Sequence, residues 1–247
     1  MPYERVGRFE EVRLNVEYDL PCKPLKKYIN HLHPGHIVYV EYPAEARISD
    51  NVIATLLNFT IKHNLKTLLI AYEQPPRMLS ELMSLQLKGV AEANERIDEL
   101  LKKNLLIVSL NPASMSFSEL MVNESKLLKE FKPDVVVFGG VDKVWMIHTS
   151  KEFETLQRSL LLNQLLMLRR LGILTIRLGS SINEELSNFF SSLADVVVKI
   201  GYVRDGNTYK PEAYIWRKGR DPKVLTSDQV VSCYEEVFEG LKHANLT

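Results

Sequence analysis

The feature that most constrains this fold is a repeated alternation of short apolar runs with longer helical patterns. Such an alternation is typical of a parallel sheet whose strands are joined by crossover helices. The runs contain almost no polar residues, as expected for strands that helices bury on both faces. They predict strands at residues 36–42, 66–72, 105–110, 134–139, 173–178 and 195–203.

Helices are predicted between these strands, and the pattern changes after the last of them. Because Asp205, Gly206 and Asn207 stand between two strand-like runs, they predict a hairpin. A closing helix follows, with Ser227 or Asp228 as its cap. We therefore expect a mainly parallel central sheet that ends in an antiparallel hairpin. The other predicted helices cover residues 49–63, 76–103, 116–131, 150–171 and 183–193.

Length and composition suit a single α/β domain. The chain has 247 residues, of which 45% are hydrophobic, and it can bury a full core. It lacks a Gly/Ser linker or an internal repeat, so we expect an N-terminal arm at 1–20, a core at 21–225 and a C-terminal helix at 226–247. Basic and acidic residues balance at 31 each, which gives no overall attraction to nucleic acid or an anionic membrane.

The cysteines and the N-terminus favour a cytoplasmic protein. Cys22 and Cys233 are far apart and have no CxxC partner, which suits a reducing compartment without a disulfide framework. The first residues are too charged for a signal peptide, and no apolar run approaches about 20 residues, so no membrane partner is expected. The histidines of HLHPGH lack a matching set of Cys or carboxylate ligands, so no metal site is predicted.

Four short motifs carry a family resemblance. Residues 36–49 run from an apolar strand through a polar loop into a helix, YEQPP follows the second strand, DVVVFGGVD forms the fourth, and IWRKGR lies near the C-terminus. With the order of elements and the terminal hairpin, they resemble the RecA-superfamily ATPases, specifically the archaeal and bacterial KaiC-like branch, over residues 20–225. This resemblance implies a RecA-like three-layer α/β/α domain.

The first motif departs from the family at its phosphate-binding loop, which usually reads GxPGxGKT. Aligned on Pro43, the glycine positions hold Glu41, Ala44 and Ala46, the lysine position holds Arg47, and the Thr/Ser position holds Ile48 before Ser49. The glycines allow backbone torsions and a close phosphate approach that a Cβ atom obstructs. Ile48 also lacks the hydroxyl that binds Mg²⁺.

Carboxylates surround the positive end of the following helix, where a phosphate would otherwise lie. They belong to Glu41, Glu45 and Asp50. One hypothesis is that an internal carboxylate, first of all that of Glu45, replaces the phosphate. In the alternative, Ser49 or Asp50 caps the helix and Glu45 faces solvent.

The two motifs that carry the catalytic groups are altered as well. Glu73 is kept, but Gln74 occupies the position of the second glutamate and cannot act as a general base. The fourth strand ends in Gly139 and Gly140 where the family has a magnesium-associated aspartate, and Asp142 lies beyond it. The resemblance with these losses implies a pseudo-ATPase without a nucleotide cofactor.

Two segments are candidates for partner contacts. In IWRKGR, Trp216 takes the position of a family lysine that reaches the neighbouring subunit, and the hairpin stays basic through Arg217, Lys218 and Arg220. An exposed cationic turn is the alternative. Residues 11–20 alternate as a half-buried strand, which adds to a neighbour's sheet edge or to its own domain. The candidate contact residues there are Val12, Leu14, Val16 and Tyr18.

We therefore expect a non-catalytic, KaiC-like binding or assembly module that forms a homo-oligomer or binds a protein or peptide. One alternative is an atypical ATPase or phosphate-ligand binder that uses Arg47 and Ser49. Another is a recombinase-paralogue accessory factor that contacts DNA through the loop after residue 140. This segment is short and mixed in charge, so nucleic acid is not favoured.

Overall fold

The structure is a computed structural model that describes residues 16–20, 22–43, 58–72, 96–148, 154–181 and 184–242, with the single positions Leu56, Arg77, Met78, Glu81 and Lys88. Its strands are β1 (Tyr18–Asp19), β2 (His31–Leu32), β3 (Ile37–Tyr42), β4 (Thr67–Ala71), β5 (Leu105–Ser109), β6 (Val135–Gly139), β7 (Leu174–Ser180), β8 (Val196–Asp205), β9 (Thr208–Arg217) and β10 (Lys223–Leu225).

One sheet of eight strands dominates the fold, in the order β10-β9-β8-β3-β7-β6-β4-β5. Neighbours from β8 to β5 pair in parallel, whereas β9 is antiparallel to β8 and β10 is antiparallel to β9. This topology confirms the predicted mainly parallel sheet with a C-terminal antiparallel hairpin. Each strand predicted from an apolar run agrees with an observed strand to within two residues at either end.

The central parallel strands β4, β6 and β7 are buried on both faces, which explains why they are mostly apolar. In β6, Val135 and Val137 belong to one hydrophobic core, while Val136 and Phe138 belong to the other. Side chains alternate between the faces of a strand, so both faces of this one must meet apolar partners.

Helices supply those partners. Ile29, Phe59 and Val230 pack into the first core, and Leu120, Leu165 and Phe190 pack into the second. Within the described residues, no helix is both long and apolar enough to cross a membrane. The helices are α1 (Lys23–Ile29), a π-helix (Asn58–Lys62), α2 (Arg96–Asn104), a 3-10 helix (Pro112–Ser114), α3 (Phe117–Phe131), α4 (Val141–His148), α5 (Glu154–Arg170), α6 (Glu184–Leu193) and α7 (Ser227–Lys242).

Two helix predictions need correction. The segment after residue 140 was expected to be a loop, but residues 141–148 form α4. Val141, Val144 and Trp145 are buried at helical spacing. The closing helix begins at Ser227, and the backbone N–H of Thr226 donates to Gln229 Oε1 at 3.1 Å. Neither Ser227 nor Asp228 therefore precedes the helix as its cap. Much of the predicted helices 49–63 and 76–103 lies outside the described residues.

The predicted hairpin turn is present between β8 and β9. Asp205 pairs with Thr208, which leaves Gly206 and Asn207 as the connecting residues. Gly206 has φ +60°, whereas Asn207 is not among the residues with positive φ. A glycine of positive φ at the first central position fits a type II′ turn, whose twist matches that of the strands.

The described part of the N-terminal arm pairs within its own chain. Tyr18 lies opposite Leu32 and Asp19 lies opposite His31 in a two-stranded antiparallel sheet. Tyr18 is buried in the first core, so its assignment as a partner contact was wrong, whereas Val16 is 44% exposed. Val12 and Leu14 lie outside the described residues.

The two cysteines form a disulfide, contrary to the prediction of unpaired thiols. Cys22 lies just before α1 and Cys233 lies in α7, with Cα atoms 5.0 Å apart and a sequence separation of 211. The packing of α7 beside the start of α1 brings the two cysteines together, and their spacing along the chain does not indicate this contact. Disulfides are found in oxidising compartments and in intracellular proteins of hyperthermophiles, so the cysteines no longer indicate a reducing cytosol.

We expect the disulfide to contribute about 2–5 kcal/mol to the free energy of unfolding, because it closes a loop that spans most of the chain. Urea denaturation of the oxidised protein and of Cys22→Ser/Cys233→Ser should reveal this loss. The control is the same comparison in excess reductant, where the difference should vanish. Intact mass after thiol alkylation should show no labelled cysteine in the oxidised protein, and labelling of both would contradict the pairing.

Candidate functional site

The carboxyl ends of the parallel strands are the natural place for a site, because ligands of open α/β sheets bind outside these ends. Glu41 lies near the end of β3, Gly139 ends β6, and Ser180 ends β7. The polar groups at this edge form separate contacts within the protein. The remaining predicted loop residues, 44–49, and the pair Glu73 and Gln74 lie outside the described residues.

Glu41 is held between a strand and a helix. Its carboxylate accepts a hydrogen bond from the Ser187 hydroxyl of α6. Lys199 of β8 lies directly beside Glu41 in the parallel register, with Nζ 3.4 Å from Glu41 Oε2. Lys199 Nζ also donates to Ser187 Oγ at 3.0 Å, so Glu41, Ser187 and Lys199 all contact one another.

The carboxylate of Glu41 lies with Tyr39 on the sheet face that α6 covers. The start of the helix expected after β3 lies outside the described residues, so the expected position of this carboxylate beside the helix end stays a prediction. Burial, and then the charge of Glu41, raise the pKa of the Tyr39 phenol. The predicted role of Glu45 concerns a residue outside the described part of the chain.

Asp142 joins the ends of two neighbouring strands. It lies in the first turn of α4 and is fully buried. Its Oδ1 accepts the backbone N–H of Ser180 at 3.1 Å, and its Oδ2 accepts the Ser180 hydroxyl at 2.7 Å. Both carboxylate oxygens are therefore engaged inside the protein, away from any ligand at the edge.

The structure restricts the two glycines at the end of β6 to different degrees. Gly140 has φ +78°, a conformation that side-chain-bearing residues rarely adopt, and it permits the abrupt turn from β6 into α4. Gly139 is less restricted, because a Cβ atom there would meet Leu69 Cδ1 at 3.7 Å and the Ile70 carbonyl oxygen at 3.9 Å. An aspartate would thus find ordinary contacts around its Cβ at 139, so packing alone does not demand glycine.

A buried polar network lies behind this edge, among β4, β7, α3 and α5. The Tyr72 hydroxyl donates to Glu124 Oε1 at 2.5 Å, and Gln164 Nε2 donates to Glu124 Oε2 at 2.5 Å. Arg177 Nη2 in turn donates to Gln164 Oε1 at 2.5 Å. Glu124 and Arg177 are each only 2% exposed. The side-chain amide of Gln164 bridges these two groups inside the core.

The aromatic surroundings and burial set the electrostatics of this network. The Arg177 guanidinium lies 4.4 Å from the Phe138 ring centroid and 5.1 Å from that of Phe190. Burial raises the pKa of the Glu124 carboxyl and lowers the pKa of the Arg177 guanidinium. Burial also raises the pKa of Tyr72, which therefore remains a hydrogen-bond donor.

The basic segment at the end of β9 and in the turn after it is only partly available to a partner. Trp216 is half-buried and packs against the second core, so it mainly supports its own domain. Arg217 is also half-buried, and burial lowers the pKa of its guanidinium. Lys218 and Arg220 are exposed in one turn, where Arg220 Nη1 donates to the Tyr28 carbonyl oxygen at 3.3 Å.

The histidines near β2 have contacts of their own. His31 lies 3.4 Å from Glu17 and 3.5 Å from Asp19, whereas the rings of His33 and His36 pack edge to face. In the part of the chain that the structure describes, no group of three or more His, Cys, Asp or Glu residues is arranged to hold a metal.

Several of these residues were not identified from sequence. Lys199 and Arg177 are lone cations in the apolar runs DVVVKI and ILTIRL, and a charge on a strand buried on both faces is the signal that could have marked them. Glu124 and Gln164 are harder to find, since a polar residue on an amphipathic helix normally faces solvent. Their pairing depends on how α3 and α5 cross the sheet.

Comparison with known proteins gives no assignment, because neither a protein-family model nor a curated protein matches this chain. The resemblance to RecA-superfamily ATPases therefore depends on the motifs and the order of elements.

We expect Arg177→Met to lower the free energy of unfolding by about 3–5 kcal/mol, because it leaves the buried Glu124 carboxyl without its cationic partner. The double variant Glu124→Gln/Arg177→Met should recover most of that loss, since the introduced amide can still accept from Tyr72 and no unpaired charge remains. Urea denaturation measures both.

Arg77 provides the matched control, because its side chain is 90% exposed and pairs with Glu81 across one helical turn. Arg77→Met should change the free energy of unfolding by less than about 0.5 kcal/mol. If Arg177→Met costs no more than this control, the network contributes little and the stated electrostatics are wrong.

Proposed function

We propose that this protein is a non-catalytic RecA-like module that acts through protein contacts, either with a second copy of itself or with another protein. The observation that carries this proposal is the internal use of the charged groups at the carboxyl edge. Glu41 is paired with Lys199 and Ser187, and both oxygens of Asp142 are bound to Ser180. The observed order of elements and the terminal hairpin support the RecA-like part.

Nucleotide chemistry needs such groups to be free. Phosphoryl transfer depends on a cation at the phosphates and on carboxylate and hydroxyl groups that hold Mg²⁺ or orient the nucleophile. Lys199 already has a carboxylate 3.4 Å away, and Asp142 is fully buried with a donor on each carboxylate oxygen. A nucleotide would have to break these contacts before gaining its own.

The outer half of the β8–β9 hairpin supports a role in assembly. Residues 202–210 are all exposed, so both faces of this two-stranded ribbon meet solvent. Tyr209 is 70% exposed, and Tyr202 and Val203 are 47% exposed. Exposed tyrosines are favoured at protein interfaces because they bury a large area at a low cost in side-chain entropy.

The atypical ATPase remains the second candidate, since Arg47 and Ser49 lie outside the described residues. Calorimetric titration with ATP and Mg²⁺, and with a non-hydrolysable analogue, is expected to show no binding tighter than about 1 mM. The reason is the loss of free phosphate and metal ligands described above. Micromolar binding that Arg47→Ala abolishes, and that the exposed-cation control Arg77→Ala preserves, would favour the ATPase instead.

For assembly, we expect a dimer or larger oligomer by light scattering at about 50 μM, weakened at least about tenfold in Tyr202→Ser/Tyr209→Ser. Val122→Ser is the control, because Val122 is 53% exposed on α3, away from the hairpin. A deletion of residues 1–15 tests the arm without removing the buried Tyr18 and Leu20. A monomeric wild type, or a hairpin variant that assembles normally, would contradict self-association through this ribbon.

A further inference from the structure

A cavity of about 180 Å³ lies on the sheet face opposite the buried polar network. Its floor is formed by β3, β7, β8 and β9, and its other walls include α1, the π-helix and α7. The lining is almost entirely apolar, as shown by Leu25, Val40, Leu178, Val198 and Ile200.

The cavity is partly open to solvent, and its volume is large for an apolar space between packed elements of a folded domain. Protein cores are close-packed and contain few voids larger than a water molecule. An apolar cavity of roughly 150 Å³ does not hold ordered water and can bind benzene. The present cavity is smaller than the pockets of roughly 300–1,000 Å³ that take drug-sized ligands, so it suits a small molecule.

One polar side chain in the lining has an unsatisfied donor. Asn58 is 2% exposed, lies at the start of the π-helix and lines the cavity. Its Nδ2 is buried and finds no acceptor among the described residues. A buried donor without an acceptor is costly, and π-helical turns recur at functional sites. Because Nδ2 has almost no accessible surface, an acceptor atom on a bound molecule would satisfy this donor once the amide turns toward the cavity.

The lining also limits the charge of the ligand. Its described residues include no Lys, Arg or His, so a carboxylate in the cavity would be desolvated without a countercharge. They include no Asp or Glu either, which disfavours a cationic ligand for the same reason. The remaining class is a neutral molecule.

The walls are covalently joined on one side. Cys233 lines the cavity, and its disulfide to Cys22 ties α7 to the start of α1, which contributes Leu25 and Ile29 to the lining. The disulfide therefore restrains how far α7 can move relative to the start of α1.

We propose that this cavity is a binding site for a small neutral molecule with an aliphatic or aromatic body and one hydrogen-bond acceptor, such as a ketone, ester or amide, whose acceptor meets Asn58 Nδ2. This site is distinct from the carboxyl edge and does not depend on the role proposed for the hairpin.

The test compares acetophenone with ethylbenzene, a hydrocarbon of similar shape that lacks the acceptor. Protein-detected NMR titration of the oxidised protein should show saturable binding of both, with acetophenone bound more tightly. Asn58→Leu should weaken acetophenone by about two- to tenfold, the range of one neutral hydrogen bond, and leave ethylbenzene bound at least as tightly. Absence of saturable binding of either compound to the wild type overturns the proposal.

Val198→Phe fills the cavity and should abolish binding of both compounds, whereas Val122→Phe on the exposed face of α3 should not. Circular dichroism checks that each variant is folded, and Val40→Phe replaces Val198→Phe if that variant unfolds. A folded cavity-filled variant that binds like the wild type places the ligand elsewhere and overturns the proposal. Equal binding of acetophenone to Asn58→Leu and the wild type overturns the role of Asn58.

Discussion

Burial of the parallel strands on both faces is the constraint on which the rest of this structure depends. Residues of β4, β6 and β7 have almost no exposed surface, because helices cover them above and below. Their backbone groups are satisfied by neighbouring strands, so every side chain must be apolar or bring its own polar partner. Arg177 is a buried charge and most needs a polar partner, which the network through Gln164 to Glu124 supplies.

The same constraint governs the carboxyl edge. Glu41 and Lys199 lie side by side on parallel strands beneath α6, so their pairing offsets part of the free-energy cost of desolvating each charge. Asp142 is tolerated at full burial because Ser180 donates to both of its oxygens. Among the described residues of this edge, the carboxylates of Glu41 and Asp142 join strand ends and stabilise the edge, so they are already engaged within the protein.

The two sheet faces differ in the space that they leave between packed elements. On the face covered by α3 and α5, the Glu124 carboxylate accepts from two side chains and the remaining space is small. On the face covered by α1 and α7, an apolar cavity remains and the Asn58 amide has a donor without an acceptor. Among the described residues, this apolar space thus lies away from the edge to which the sequence motifs direct attention.

Local pattern was sufficient for the six parallel strands, the hairpin turn and the largely apolar composition of the sheet interior, since side-chain period and turn chemistry are properties of neighbouring residues. It was insufficient for the Cys22–Cys233 disulfide, for the pairing of Glu41 with Lys199 and for the Glu124–Arg177 network. Each of these joins residues far apart in sequence, and only the order and register of the strands and the crossing of the helices bring them within reach. The apolar cavity has the same origin, because empty space is decided by how whole elements pack and no single segment encodes it.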